Sequence, residues 1–289
     1  MAFVNVLAFI NPHPRDSLIS FEEENHVYTI FQKERKEERE EREEREEREE
    51  REKDDRKYTS VTTWVHKHFS PFDSDKIIKN MMNSKNWREG HKYWGMTAEQ
   101  IKEQWSTNTA AQQGTELHAN IEHFMQPLWE TTINTHATLL ENKTNQFKDD
   151  RLEWQYFLNF VSDFPHLKPY RTEWCVFNED IQIAGSIDMI YENSDGTLSI
   201  YDWKRSKAIT KINYYNKYSI TSCICHLPDS NFWHYALQLN MYKFILESKY
   251  DKKIKELFLV RLHPDAEQGN YELIEIPIME KEIYDLLKI

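Results

Sequence analysis

The run GSIDMIYENSDGTLSIYDWK, residues 185–204, constrains the fold more than any other part of the chain. Two stretches rich in Ile and Tyr flank Asn-Ser-Asp-Gly, a turn signature, so the run reads as an antiparallel hairpin. With Asp195 at the turn centre, residues equidistant from it oppose one another, and Asp188 and Asp202 each stand seven positions away. Their Cβ atoms are then expected about 4.5–5.5 Å apart, and a one-residue slip in register still leaves them neighbours. Two carboxylates so placed repel, and either a raised pKa or a bound cation resolves the conflict. A hard divalent ion such as Mg²⁺, which needs few carboxylates and keeps several waters, suits the site. Period-2 alternation sends Lys204 to the same face as Asp202 and Trp203 to the other. Two acids for an ion, with an ammonium able to orient water or neutralise developing charge, suit metal-assisted hydrolysis of a phosphodiester. Taken alone, Asp-x-Lys equally describes an ion pair on an edge strand.

The elements around this hairpin define the class. Before Pro169 the pattern is mostly helical: FSPFDSDKIIKNMMNS starts at Asp73 or Ser74, TAEQIKEQW has the Thr97–Gln100 capping-box spacing, GTELHANIEHFM continues after Gly114, and NQFKDDRLEWQYFLNFVSDF is amphipathic through Leu152, Tyr156 and Phe160. After Pro169 come the β-rich runs YRTEWCVF, IQIAGSIDMIYE and TLSIYDW. A helix over DSNFWHYALQLNMYKFILESKY, strands IKELFLVRLH and YELIEIPI, and a closing helix EKEIYDLLKI complete the order. That order predicts an α/β fold, a mixed central β-sheet flanked by helices with a largely helical N-terminal part.

Residues 33–57 are all charged, 11 Lys or Arg against 14 Asp or Glu, and contribute −3 of the net −12. Glu38 with Arg42, Glu41 with Arg45 and Glu44 with Arg48 have the spacing that supports a solvated helix by about 0.2–0.5 kcal/mol each. The tract is a low-complexity insertion, helical or disordered and without chemistry, between flanks HVYTIFQ and KYTSVTTWV that both read as strands of one lengthened hairpin. The chain therefore divides into N-terminal strands (1–32), the charged insertion (33–57) and the main domain (58–289).

Composition sets the class of protein. With 39% apolar and 13% aromatic residues in 289 positions, the chain can bury a core of useful size. It lacks a run of about eighteen apolar residues, and FVNVLAFI is short, broken by Asn5 and preceded by no positive charge, so neither a membrane span nor a signal peptide is expected. The expected location is intracellular (nucleus, cytoplasm or a viral replication site) rather than secreted. Cys175, Cys223 and Cys225 are too few for a four-thiolate zinc or iron–sulfur site; Cys223 and Cys225 with His226 could join a metal site, or be free thiols. The net charge argues against nonspecific coating of nucleic acid but leaves room for a local groove.

Ile-Asp followed fourteen residues later by Asp-Trp-Lys, with GTELHANIE upstream and QLNMY downstream, resembles the PD-(D/E)XK nuclease superfamily, and within it the RecB-like branch that includes mitochondrial genome maintenance exonucleases. The likeness spans roughly residues 58–262, with Ile187 where the superfamily pattern has proline and without the cysteine cluster of the iron–sulfur members. It implies a metal-dependent DNA exonuclease acting on ends or single-stranded flaps, using Mg²⁺ or Mn²⁺ and no iron–sulfur cluster. Asp188 and Asp202 become metal ligands, Lys204 the catalytic lysine, the Trp203 carbonyl a further ligand and His118 the helix histidine that completes the shell. His118 and Glu122 are four apart on one helix face; Glu122, and Glu173 in the strand before the hairpin, are candidates for a supporting role or a second ion. Gln238 and Tyr242 match the QxxxY motif, implying contact with the DNA backbone or ordering of the site. Arg205, Lys207, Lys211 and Lys217, interleaved with Tyr214, Tyr215 and Tyr218, could hold phosphates and stack on unpaired bases, or form a solvated loop. The competing readings are a catalytically inactive DNA-binding or scaffold member of the same fold and a restriction-type endonuclease; protein partners are not specified.

Overall fold

A computed structural model describes residues 5–22, 25–31, 56–106, 109–127, 135–143 and 149–288. Helix α1 (Val6–Ile10) is capped by Asn5, whose Oδ1 accepts from the Ala8 N–H. Strands β1 (Ile19–Glu22) and β2 (Val27–Ile30) pair antiparallel as a separate hairpin. Ile19 and Ile30 of that hairpin pack on Phe177 and Ala184 of the main sheet. Of the charged tract only Arg56 and Lys57 belong to the described residues; the three Glu–Arg pairs expected of it lie outside them.

The strand expected over KYTSVTTWV is reduced to β3 (Thr59–Ser60), which joins the main sheet rather than closing a hairpin on β2. Val61–His66 is a helix, α2, in which the Ser60 Oγ accepts from the Thr63 N–H at 3.1 Å. Val61 and Val65, one turn apart, are buried in the main core, and that burial outweighs the strand preference of β-branched residues.

Helix α3 (Ser74–Met82) starts at Asp73, which accepts from the Lys76 N–H, and of its four apolar residues only Ile78 is fully buried. The capping box at α4 (Ala98–Ser106) forms as predicted: Gln100 accepts from the Thr97 N–H at 2.8 Å and Thr97 from the Gln100 N–H at 3.3 Å. Helix α5 (Thr109–Met125) runs through Gly114 instead of starting after it, seated by the buried Leu117, Ile121 and Phe124. Helix α6 spans His136–Lys143. Of the helix expected from Asn145, residues 145–148 lie outside the described ones; 149–151 are not helical, the Asp149 carboxylate taking the Arg151 N–H in a local turn, and α7 spans Leu152–Asp163 with Leu152 itself exposed.

The β-rich half then supplies β4 (Lys168–Asn178), β5 (Ile183–Glu192) and β6 (Leu198–Lys204), followed by α8 (Asn231–Lys249), β7 (Ile254–Arg261), β8 (Glu272–Glu275) and α9 (Glu280–Leu287). The sheet order is β3-β5-β6-β7-β8 with β4 along β5; β3 with β5 and β6 with β7 are parallel, the other ladders antiparallel. The expected mixed sheet flanked by helices is therefore the architecture found. Alternation divides the core: Tyr201, Trp203, Met189 and Tyr191 pack with α5, α6 and α7, whereas Ile190, Ile200, Leu257 and Leu259 pack with α2, α8 and α9. The three cysteines are free. Among the described residues no helix is long and apolar enough to cross a membrane.

Candidate metal centre and active site

The β5–β6 ladder runs from Glu192↔Leu198 to Met189↔Tyr201, the register that a turn centred on Asp195 dictates. It ends there. Past this point β5 takes β3 as its neighbour at Ile183 and Ala184, while β6 continues along β7 as far as Lys204↔Arg261. Asp188 and Asp202 are the first residues beyond the apex of the resulting fork. Instead of a β5 carbonyl, Asp188 Oδ2 accepts the Trp203 N–H at 3.0 Å.

Glu173 approaches from the other side of β5. Thr172 pairs with Met189 and Trp174 with Ile187, so Glu173 stands opposite Asp188, yet the two form no ladder pair. The Glu173 backbone has φ of +42°, a left-handed conformation that is rare for a residue with a side chain. Its Oε2 accepts from the Ser186 hydroxyl at 2.9 Å. Burial, then the Asp188 charge, pushes the Glu173 pKa up, with Glu122 and Asp202 adding to it.

His118 reaches the fork from α5. Its Nε2 donates to the Trp203 carbonyl at 2.9 Å, since a carbonyl can only accept, and this leaves Nδ1 facing Asp188 Oδ2 at 3.5 Å. An unprotonated Nδ1 and a carboxylate oxygen are both acceptors, so their approach calls for a proton or a cation between them. A histidine whose far N–H is fixed by a backbone carbonyl is the usual arrangement of a metal ligand. One ligand atom each from His118, Glu173 and Asp188 lies within 4.8 Å of the others.

Asp202 and Lys204 form the other half of the site. Their side chains share a face, as alternation predicts, with Lys204 Nζ 2.6 Å from Asp202 Oδ2 and only 3% of the Asp202 side chain exposed. Burial, reinforced by the Asp188 charge, raises the Asp202 pKa despite the neighbouring ammonium. Burial alone would weaken the Lys204 charge, but Asp202 and Asp188 outweigh it and hold the ammonium above its usual range. With all groups ionised, Asp188, Asp202 and Glu173 outnumber the Lys204 ammonium by two charges, and Glu122 adds to the excess felt at Glu173. Oxygen and imidazole donors suit Mg²⁺ or Mn²⁺. The set differs from the expected one in two respects: Glu173 rather than Asp202 stands with His118 and Asp188, Asp202 being paired with Lys204, and the Trp203 carbonyl, expected as a ligand, accepts from His118. The Trp203 carbonyl orients His118.

The remaining candidates are placed as follows. The charge of Glu122 is felt at Glu173. Tyr242 is buried against β5: a Cβ on Gly185 would lie 2.7 Å from its Cε1, and Gln238 Nε2 is 3.5 Å from its hydroxyl. This position fits ordering of the site rather than a grip on a backbone. The Arg205 guanidinium is held by Glu153 of α7 at 2.7 Å, Lys207 reaches Asp265 at 3.3 Å, and the Lys211 ammonium lies 4.6 Å from the centre of the Phe232 ring. Tyr214 and Tyr215 are the most exposed of the large side chains here.

Three contacts escape the sequence reading. Tyr235 places its ring 4.7 Å from Lys204 Nζ, which Asp202 also holds. Ser186 holds Glu173, and Gly185 makes room for Tyr242. Tyr235 precedes Gln238 by three residues and so shares its helix face, the one signal that could have marked it.

No family model matches the chain, and no curated protein matches it. Among solved structures it is similar to the crystal structure of SSO0001, at 15% identity over 86% of this chain and 79% of that one, with a TM-score of 0.31. That superposition is too loose to bear on function.

Proposed function

We propose that the chain is a metal-dependent deoxyribonuclease of the PD-(D/E)XK type, an exonuclease acting on DNA ends or single-stranded flaps. The observation that supports this reading is the fork between β5 and β6, where half-buried Asp188, Glu173 and His118 stand together beside the buried Asp202 and its Lys204 ammonium. His118, Glu173 and Asp188 are the residues to hold Mg²⁺ or Mn²⁺. When bound, such an ion polarises a phosphate oxygen and lowers the pKa of a coordinated water. Lys204, held by Asp202 and near the Tyr235 ring, orients a water for attack or neutralises charge on the phosphate. Asp202 keeps that ammonium charged and aimed. Trp203 turns away into the helical layer, where Phe157 and Phe160 pack against its indole, and so anchors the strand that carries the other two.

The test is digestion of end-labelled linear and closed circular DNA, single- and double-stranded, with Mg²⁺ or Mn²⁺. Wild type is expected to degrade linear DNA in a metal-dependent manner, and Lys204→Ala to lose about 100- to 1000-fold in rate. Absence of cleavage on every substrate, or a Lys204→Ala variant as fast as wild type, overturns the reading. Cutting of closed circles favours an endonuclease.

A further inference from the structure

We propose that the surface joining α3 to α4 binds an unpaired nucleic-acid strand, its bases stacked on Trp94 and Phe72 and its phosphates on the basic side chains around them. The choice of occupant rests on the nuclease reading, but the surface is separate from the fork.

Five aromatic side chains gather here outside the three apolar cores. Trp87 and Trp94 have ring centres 5.9 Å apart, Tyr93 and Phe72 each lie 6.1 Å from Trp105, and the Trp105 indole N–H donates to the Tyr93 hydroxyl at 3.0 Å. The loop is built on turns, with Gly90 at φ of +94° and Gly95 at +84°. Despite this packing, Phe72 is 74% and Trp94 48% exposed. Rings already held by their neighbours can stack on a base with little ordering cost.

Charge selects the partner. In a chain of net −12, residues 76–94 contain Lys76, Lys79, Lys85, Arg88 and Lys92 against a single acid, Glu89. All five cations are exposed, and none forms an ion pair among the described residues; the Lys92 ammonium lies over the Tyr93 ring at 4.9 Å. Planar faces interleaved with unpaired cations match a strand whose bases are unstacked, whereas a duplex hides its base faces. Beside Trp94 lies a groove lined by Met96, Gln100, Glu103 and Gln104. The next helix in the chain, α5, carries His118 to the fork.

The test is fluorescence anisotropy of a labelled oligothymidylate and of a blunt duplex, in EDTA so that binding is read without cleavage. Trp94→Ala and Phe72→Ala are each expected to weaken single-strand binding roughly 5- to 150-fold, with Trp94→Phe close to wild type. Replacing Lys85, Arg88 and Lys92 by Gln is expected to flatten the slope of log affinity against log salt by about 2. The two aromatic positions are exposed, so unchanged melting curves accompany the loss. Alanine variants that bind like wild type, or a wild type that holds the duplex as tightly as the single strand, overturn the proposal. Binding as stated without cleavage in Mn²⁺ sinks the nuclease reading and leaves the platform; cleavage through Lys204 with binding indifferent to Trp94 and Phe72 sinks the platform alone.

Discussion

Glu173 shows how much local stability the fork gives up. A left-handed backbone at a residue with a side chain costs on the order of 1–3 kcal/mol, and here it brings a half-buried carboxylate close to a second one. Conformations of this kind persist where the surroundings over-determine them, and the surroundings here are Ser186 and the paired residues on either side. Removing the charge while keeping the shape should therefore separate the two roles. Glu173→Gln is expected to raise the melting temperature in EDTA by about 2–4 °C, as relief of about 1 kcal/mol would in a chain of this size. The same change is expected to weaken Mn²⁺ binding, read by calorimetry, at least about tenfold. A destabilised variant with unchanged Mn²⁺ affinity would make the carboxylate a structural group only. Asp188 and Asp202 were legible from the sequence because a short turn fixes the register between them. Glu173 entered as a candidate, but its place opposite Asp188 depends on β4 pairing and on one unusual φ. Tyr235 has only its spacing from Gln238 to mark it, since its contact with Lys204 requires α8 to be docked on the sheet.

At the scale of elements, local signals read correctly wherever short-range chemistry decides: the Asp73 cap, the Thr97–Gln100 box and the Asn-Ser-Asp-Gly turn all stand where the sequence puts them. They fail where burial decides. Val61, Thr62, Thr63 and Val65 favour a strand by their branching, yet become α2 because a helix puts Val61 and Val65 onto the same core as α8. The docking of α8 has a small tolerance, set at Gly185. A methyl there would meet Tyr242 Cε1 at 2.7 Å and Val61 Cγ2 at 3.0 Å, and both neighbours are buried. Gly185→Ala is expected to cost about 1–3 kcal/mol in chemical denaturation. Because the clash is mostly with one ring, Gly185→Ala combined with Tyr242→Leu is expected to lose less than the sum of the two single losses. Strict additivity would mean that the helix adjusts and that Tyr242 does not set the spacing.

For the molecule as a whole, the order of elements sufficed to give a mixed sheet between helical layers, because strands apolar on both faces must be covered twice. What the order could not show is where the layers are joined by polar contacts. One such joint is His136, fully buried on α6, whose Nε2 shares a hydrogen bond with the Tyr191 hydroxyl of β5 at 2.8 Å. Burial pushes its pKa down to about 3, and nearby His166 acts in the same direction. In the unfolded chain the same imidazole titrates near 6.5. Between those values the unfolded state binds a proton that the folded state refuses, so this residue withdraws stability as pH falls from about 6.5 toward 3. Above 6.5 it withdraws none. The slope can reach about 1.4 kcal/mol per pH unit inside the window. His136→Phe keeps a ring against Phe160 but strands the Tyr191 hydroxyl, so the variant is expected to be less stable than wild type at pH 8. Its deficit is expected to shrink steadily as denaturation is repeated down to about pH 4, because the variant has no proton to refuse. Curves that stay parallel across that range would mean that His136 takes up its proton inside the fold as readily as in the unfolded chain.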